Sequence, residues 1–305
     1  MQRARSQNLQ PHYLPNSGPR NQSVVRARQQ ALAWSDQSRH DARMRLLPLL
    51  LLLPAAAPVP PQRILSLHLC ADQYLLALAD RRQVVGLTRN ARDPAMSRGA
   101  AQARNWPIAR SSAEEMLALR PDLVIATPGR TFLRRPPRVL ELPDAHSYPE
   151  IVAQTRLVAR AIGHPARGEA LIRRMDAAIA GLPRAGKNRI AAEYQRRGFL
   201  TGQGTLIDDL MRRVGLVNLA SRLGRSPLAQ VPVETIVAAR PDFLLVEEGE
   251  AVVDQGTAMR AHPALARIPR LVLPRASTTC GGPDYVLAAA SLARQLAQNR
   301  ALTPP

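Results

Sequence analysis

The stretch EEMLALRPDLV, residues 114–124, has a second copy in this 305-residue chain, ETIVAARPDFL, residues 234–244. The two copies align position by position without a gap. Each is typical of a short helix, an Arg-Pro-Asp stop and a buried strand, because proline disfavours helical conformation at the residue before it. A repeated helix-to-strand unit predicts two pseudo-symmetric α/β halves around a cleft.

Outward from these copies, short apolar runs alternate with helical patterns from Arg63 onward, which favours an α/β fold. Between the copies lies a long amphipathic pattern at about residues 166–182, whose apolar side chains fall on one helical face. We therefore predict an N-terminal lobe, a bridging helix and a C-terminal lobe. Their expected boundaries are residues 58–164, 165–186 and 187–305. The repeat itself predicts helices over residues 112–119 and 233–239 and strands over residues 123–126 and 243–246.

The first 57 residues carry the pattern of a leader and an export signal. Residues 1–43 are rich in Gln, Ser, Asn and Arg, and we expect them to be a disordered leader that is left untranslated. From Met44, a short basic region, an apolar run and small residues up to Ala57 form the pattern of a cleaved signal peptide. The apolar run is shorter than the roughly 20 residues that span a membrane. We predict a start at Met44, a signal peptide over residues 44–57 and a periplasmic location.

Composition argues against a nucleic-acid partner despite a formal net charge of +19. The arginines are scattered and form no dense basic block, and only 3% of residues are aromatic, so no stacking platform accompanies them. Hydrophobic residues make up 46% of the chain, which is enough for two lobes with cores of their own. We expect a monomer without bound nucleic acid.

Four segments together resemble one family. RILSLHLCADQ at 63–73, the two repeat copies and CGGP at 280–283 are similar, in order and spacing, to the periplasmic binding proteins of iron-siderophore, haem and vitamin B12 ABC importers. The resemblance covers about residues 62–300. It implies two Rossmann-like α/β lobes bridged by one long helix, a ligand cleft between the lobes, and delivery of a small-molecule metal chelate to an inner-membrane ABC permease. It implies no cofactor of the protein's own, since any iron or cobalt belongs to the ligand.

Ligands of open α/β layers bind beyond the carboxyl ends of the strands. Arginines there suit anionic groups and a tryptophan suits an apolar face, although a solvated surface position is an equally good interpretation for each arginine alone. The predicted ligand-binding residues are His68, Cys70, Trp106, Arg130, Thr131, Gly202, Gln203, Arg275 and Cys280.

His68, Cys70 and Cys280 leave several interpretations open. Together they suit a soft metal or a haem iron, but a lone histidine after a strand is more often a hydrogen-bonded structural residue, and the sequence assigns no metal ligands. The two cysteines are compatible with a disulfide, with contact to the ligand, or with two buried unpaired thiols.

Glu114 and Glu234 occupy the same position in the two repeat copies. The resemblance implies that such a pair lies on the exposed tops of the two lobes and docks onto arginines of the permease. Stabilisation of the helix dipole by a carboxylate in the first turn is the simpler alternative. The chain has no G-x-S-x-G or H-E-x-x-H motif, so we expect no enzymatic activity. The alternative function is an enzyme, or a metallocluster or chelatase-like protein, on the same two-lobed fold.

Overall fold

Two four-stranded parallel sheets and a two-stranded antiparallel sheet organise the computed structural model. The structure describes residues 59–110, 112–129, 138–225, 227–249 and 258–301. The predicted α/β architecture is confirmed.

Lobe one is built around the sheet of order β2-β1-β3-β4, in which every neighbouring pair is parallel. Its elements are β1 (Ile64–Ser66), α1 (Leu69–Leu78), β2 (Val84–Gly86), α2 (Ala100–Ala103), α3 (Ala113–Leu119), β3 (Leu123–Ala126), β4 (Arg138–Glu141) and α4 (Tyr148–Ala161). All four residues of β3 are buried, as a central parallel strand covered on both faces requires.

The helix α5 (Pro165–Ala180) follows α4 and leads the chain to the second sheet. It contributes Ile172 and Met175 to the hydrophobic cluster of the second sheet, and Leu171 packs against the clusters of both sheets. A proline in the first turn of α5 suits a helix start, because the missing N–H there has no helical partner.

Lobe two is built around the parallel sheet of order β10-β9-β5-β7. Its elements are β5 (Ile190–Glu193), β6 (Phe199–Thr201), α6 (Leu206–Arg213), β7 (Val217–Asn218), α7 (Leu219–Arg222), β8 (Leu228–Gln230), α8 (Val233–Ala239), β9 (Phe243–Glu247), β10 (Arg270–Leu273), α9 (Arg275–Thr278) and α10 (Tyr285–Ala301). The strands β6 and β8 form a separate antiparallel pair. Among the described residues, no helix combines the length and apolar character needed to cross a membrane.

The internal repeat has the same backbone geometry in both lobes. Helices α3 and α8 end at Arg120 and Arg240, whose φ angles are 43° and 45°, in the left-handed region. The aspartate two residues later then accepts a backbone N–H at the start of the central strand. Asp122 accepts from the N–H of Arg63 at 3.0 Å, and Asp242 accepts from the N–H of Ile190 at 2.7 Å. The Arg-Pro-Asp stop therefore ends a helix and fixes the neighbouring strand in each lobe.

A buried carboxylate fixes the last helix against the elements around it. Asp209 of α6 accepts hydrogen bonds from the Tyr285 hydroxyl at 2.6 Å and from the Tyr148 N–H at 3.2 Å. The guanidinium of Arg213 lies 4.9 Å from the centre of the Tyr148 ring. Burial, followed by the Asp209 hydrogen bond, raises the pKa of the Tyr285 hydroxyl. This network holds the start of α10, and with it the preceding turn, in one position.

Candidate ligand-binding cleft

A cleft of about 780 Å³ opens at the carboxyl ends of β1 and β2. Residues 67–70, which follow β1, and residues 88–90, which follow β2, form two of its walls. Residues 108–110 and Asp144 complete the lobe-one side, and Thr279 and Cys280 reach it from lobe two. The cleft lies where a parallel sheet binds its ligands.

The two cysteines form a disulfide at the floor of the cleft. Cys70 belongs to the first turn of α1, and Cys280 belongs to the turn before α10, 210 residues later. Their Cα atoms are 5.3 Å apart, and both residues are buried against Leu69 and Met96. Of the three interpretations that the sequence left open for the cysteines, the structure contains the disulfide, which joins the two lobes covalently.

Two glycines after Cys280 allow the lobes to approach this closely. A Cβ added to Gly281 would collide with the carbonyl oxygen of Ala145, and one on Gly282 would lie 2.8 Å from Oε1 of Gln73. The hydroxyl of Tyr74 donates to the Gly281 carbonyl at 3.2 Å. The CGGP turn therefore packs against α1 and the loop after β4 through its backbone.

His68 precedes the first residue of α1, and one of its ring nitrogens lies within 4.8 Å of the Cys70 sulfur. It occupies the residue before the helix, and its side chain is 19% exposed and lines the cleft. Its Nε2 is 3.8 Å from Oδ1 of Asp144, an exposed side chain in the loop after β4. Histidine, carboxylate and sulfur atoms therefore meet at one place on the cleft floor.

The wall after β2 is held from below by a buried aspartate. The carboxyl group of Asp72 accepts hydrogen bonds from the Thr88 hydroxyl at 2.5 Å and from the Thr88 N–H at 3.2 Å. Burial raises the pKa of Asp72 to about 7, against the opposing effect of hydrogen bonds from Ser66 and Thr88. This contact positions the adjacent residues Arg89 and Asn90 at the cleft.

Arg89 and Arg110 are cleft residues that the sequence analysis did not select. Both side chains are exposed, and in the part of the chain that the structure describes neither guanidinium forms an ion pair. Arg89 lies just beyond the carboxyl end of β2. The expectation that ligands bind beyond the carboxyl ends of strands was applied to β1 but not to β2, where it would have selected Arg89. Two such arginines give the lobe-one side of the cleft an affinity for anionic groups.

The other predicted ligand residues lie elsewhere or outside the described residues. Trp106 is buried in the hydrophobic cluster of lobe one. Arg275 lies on α9 with its Nε 3.8 Å from Oε2 of Glu247. Gly202 is buried and donates its N–H to the Pro227 carbonyl at 2.7 Å, whereas Gln203 is exposed in the turn before α6. None of these residues lines the described cleft.

Two further predicted residues, Arg130 and Thr131, lie outside the described residues. Of the nine predicted ligand residues, the structure thus brings His68, Cys70 and Cys280 together.

Glu114 and Glu234 occupy equivalent, exposed positions in the first turns of α3 and α8. The pKa of Glu114 is lowered by a hydrogen bond from its own backbone N–H and, secondarily, by the Ser112 hydroxyl.

Solved structures with the same fold include two binding proteins and one protein of a transport system. The apo form of the periplasmic heme-binding protein RhuT from Roseiflexus sp. RS-1 is 24% identical, with a TM-score of 0.61 over 78% of this chain and 98% of its own. A periplasmic vitamin B12 binding protein, BtuF of Vibrio cholerae, is 16% identical, with a TM-score of 0.57 over 80% of this chain and 99% of its own. An ABC-type Fe3+-hydroxamate transport system protein from Saccharomonospora viridis DSM 43017 is 19% identical, with a TM-score of 0.57 over 77% of this chain and 93% of its own.

A comparison with curated protein sequences gives no match. The family model described as periplasmic binding protein matches residues 64–269, more than half of the sequence. The chain therefore belongs to the periplasmic binding protein family.

Proposed function

We propose that this protein is the solute-binding component of an ABC importer, which captures an iron chelate or a corrinoid and delivers it to a membrane permease. Membership of the periplasmic binding protein family supports the binding role. Structures of the same fold are named as binders of heme and vitamin B12 and as part of Fe3+-hydroxamate transport, which favours a metal chelate as the class of ligand.

The observation that carries this proposal is the cleft at the carboxyl ends of β1 and β2, closed at its floor by the interlobe disulfide. Its volume of about 780 Å³ lies in the range of small-molecule and cofactor sites, roughly 300–1,000 Å³. A covalent link between the lobes limits their separation, so the site is largely formed before the ligand arrives. A preformed site loses less conformational entropy on binding.

The charges of the cleft favour an anionic chelate. Arg89 and Arg110 present guanidinium groups that form charge-assisted hydrogen bonds to carboxylate or hydroxamate oxygens. Leu67, Ile108 and Ala109 supply apolar wall beside them, as the uncharged part of a large chelate requires.

We propose binding and release without chemical change of the ligand. The two sulfur atoms of the cleft are joined to each other and so offer no thiolate nucleophile. Delivery rather than turnover is also the usual role of the family to which the chain belongs.

The exposed pair Glu114 and Glu234 is proposed as the docking site for the permease. One carboxylate on each lobe, at equivalent places in a pseudo-symmetric body, suits a partner with two-fold symmetry.

For the periplasmic location, we propose translation from Met44 and cleavage near Ala57. Mass spectrometry of the mature N-terminus tests this proposal, and a mature chain that retains residues 1–43 would contradict it.

The binding role is tested by thermal unfolding of the oxidised protein with haem, a ferric hydroxamate and cobalamin. A ligand at a hundred times its dissociation constant adds about 2.7 kcal/mol to the stability of the folded state. For a domain of this size, the midpoint should rise by roughly 5–11 °C with the true class of ligand. No shift with any chelate at saturating concentration would contradict the proposal.

The assignment of the two arginines is tested in the same assay. Arg89→Ala and Arg110→Ala should each weaken the binding of an anionic chelate by about 1.5–3 kcal/mol, which is the contribution of a hydrogen bond to a charged group. Arg104→Ala is the matched control, because Arg104 is an exposed arginine of the same lobe that does not line the cleft. Equal losses in the control and the cleft variants would remove Arg89 and Arg110 from the site.

A further inference from the structure

Four side chains with metal-binding groups converge on the floor of the cleft. The ligand atoms of His68, Cys70 and Asp144 all lie within 4.8 Å of one another, and the sulfur of Cys280 is bonded to that of Cys70. They come from three separate segments: the start of α1, the loop after β4 and the turn before α10. Such convergence of distant segments is what a metal site needs, and the fold already provides it.

The oxidation state of the sulfurs decides whether this cluster is a strong site. A disulfide sulfur carries no charge, whereas the thiolate is the form of cysteine that binds metals. Two thiolates, an imidazole and a carboxylate make a donor set that suits Zn²⁺ in tetrahedral coordination. Their three negative charges exceed the charge of a divalent cation by one, which offsets one of the two arginines of the same cleft.

The distances agree with this coordination. Bond lengths of about 2.0–2.2 Å from Zn²⁺ to nitrogen and oxygen place those two ligand atoms roughly 3.3–3.5 Å apart in a tetrahedral site. Nε2 of His68 and Oδ1 of Asp144 are 3.8 Å apart, so a small rotation of the exposed Asp144 side chain brings them to that separation. The two sulfurs must move apart after reduction, which cleavage of the bond between them allows.

We propose that two-electron reduction of the Cys70–Cys280 disulfide converts the floor of the cleft into a metal site of the zinc type, with Cys70, Cys280, His68 and Asp144 as its four ligands. A dithiol reductant breaks the sulfur–sulfur bond, transfers two electrons and two protons to the two cysteines, and is itself oxidised to a disulfide. Metal binding then displaces the two thiol protons into solvent. Both cysteines are buried but line the cleft, so the cleft is the side from which a reductant approaches them.

The test uses Co²⁺ as a spectroscopic probe for the full-length mature protein. One sample stays oxidised, and another is reduced with a phosphine, which adds no thiol ligand and is removed before the metal is added. We expect one Co²⁺ per reduced chain, with thiolate-to-cobalt charge-transfer absorption that Zn²⁺ abolishes by displacement. The oxidised protein should give no such absorption. Equal spectra from the oxidised and reduced proteins would overturn the proposal.

Variants distinguish an assembled site from two reactive thiols. Loss of a residue that only supports a metal ligand weakens metal binding roughly 10–100-fold. Because His68 is proposed as a ligand itself, His68→Ala should raise the dissociation constant of Co²⁺ by more than this. Asp144→Asn should weaken binding in the same direction. His146→Ala is the matched control, because His146 is an exposed histidine two residues beyond Asp144 and outside the cluster. Binding that is as strong in His68→Ala as in His146→Ala would count against the site.

Reduction also removes a covalent link, so the folded state is monitored by circular dichroism in every sample. An unfolded chain that captures Co²⁺ through its two cysteines would show the same affinity with and without His68, and this result also overturns the proposal. The experiment uses the bare metal and the reduced protein. Its outcome is therefore independent of chelate binding by the oxidised protein, which tests the transport function.

Discussion

Asp72 connects the first helix to the loop that carries Arg89, and its carboxyl group is inaccessible to solvent. Because burial raises its pKa from the ordinary value of 3.8 to about 7, the folded protein keeps this proton at pH values where the unfolded chain has released it. Between about pH 4 and 7 the Asp72 carboxyl group then binds more protons in the folded state than in the unfolded state. Its contribution to the free energy of unfolding therefore falls as the pH rises through this window.

The variant Asp72→Asn keeps the size of the side chain and cannot ionise. From pH 4 to 7, the free energy of unfolding of the wild type should fall relative to that of Asp72→Asn by up to about 4 kcal/mol, at about 1.4 kcal/mol per pKa unit, and then level off. Chemical denaturation at a series of pH values measures it. Glu150 and Glu169, whose pKa values are lowered by hydrogen bonds from the His146 N–H and from Arg156 respectively, act in the opposite direction and cancel in the difference.

Asp93→Asn is the matched control, since Asp93 is an exposed aspartate in the same lobe. Its stability curve should run parallel to that of the wild type. A flat difference between the wild type and Asp72→Asn over the whole range would show that the buried group does not hold its proton.

For individual residues, sequence alone predicted side-chain chemistry better than side-chain direction. His68, Cys70 and Cys280 were selected because they adjoin predicted strand and helix ends, and the structure places all three at the cleft. Trp106 was selected for its apolar ring, but the same apolar area is buried in the core of lobe one. Periodicity cannot separate these outcomes, because it does not show what packs on each face.

At the scale of secondary-structure elements, the repeat gives a test of docking. Glu114→Ala combined with Glu234→Ala should leave chelate affinity unchanged and weaken binding to the permease, more so at low salt, where Coulomb interactions are less screened. Binding of the detergent-solubilised permease at two salt concentrations measures this. Glu169→Ala, a glutamate on α5 paired with Arg156, is the matched control.

The simpler interpretation, stabilisation of the helix dipole, makes a different prediction. Each glutamate would then stabilise its own helix slightly and contribute nothing to binding of the permease. Permease binding by the double variant that equals that of the wild type would exclude the docking role.

Elements that carry strong patterns were predicted almost to the residue. The strand Leu123–Ala126 and the helix Val233–Ala239 begin and end where we predicted, and the Arg-Pro-Asp stop accounts for the end of the helix and the start of the strand. The antiparallel pair of β6 and β8 was missed. Each of these strands has three residues, too few for an alternating pattern to show. The two strands are also separated from each other in the sequence by α6 and α7.

At the scale of the whole molecule, the interlobe disulfide should be a large contributor to stability. It closes a loop of 210 residues, and cross-links of long loops remove much conformational entropy from the unfolded chain. Cys70→Ser combined with Cys280→Ser should lower the free energy of unfolding by about 2–5 kcal/mol. Urea denaturation of the variant and of the oxidised wild type measures the difference.

Reduced wild type is the matched comparison for this variant, because it lacks the bond but keeps both sulfurs. The two should unfold at similar urea concentrations in the absence of metal. A variant as stable as the oxidised protein would show that the lobes are held by their noncovalent seam alone.

The position of this bond also sets an order in time. Chains are made from the N-terminus at roughly 5–20 residues per second, so Cys280 is synthesised about 10–40 seconds after Cys70. During that interval Cys70 has no native partner, and any other thiol it meets competes for it. The bond can close only after Cys280 has been made and has met Cys70. A closed Cys70–Cys280 bond therefore marks a chain whose synthesis has passed the turn before α10.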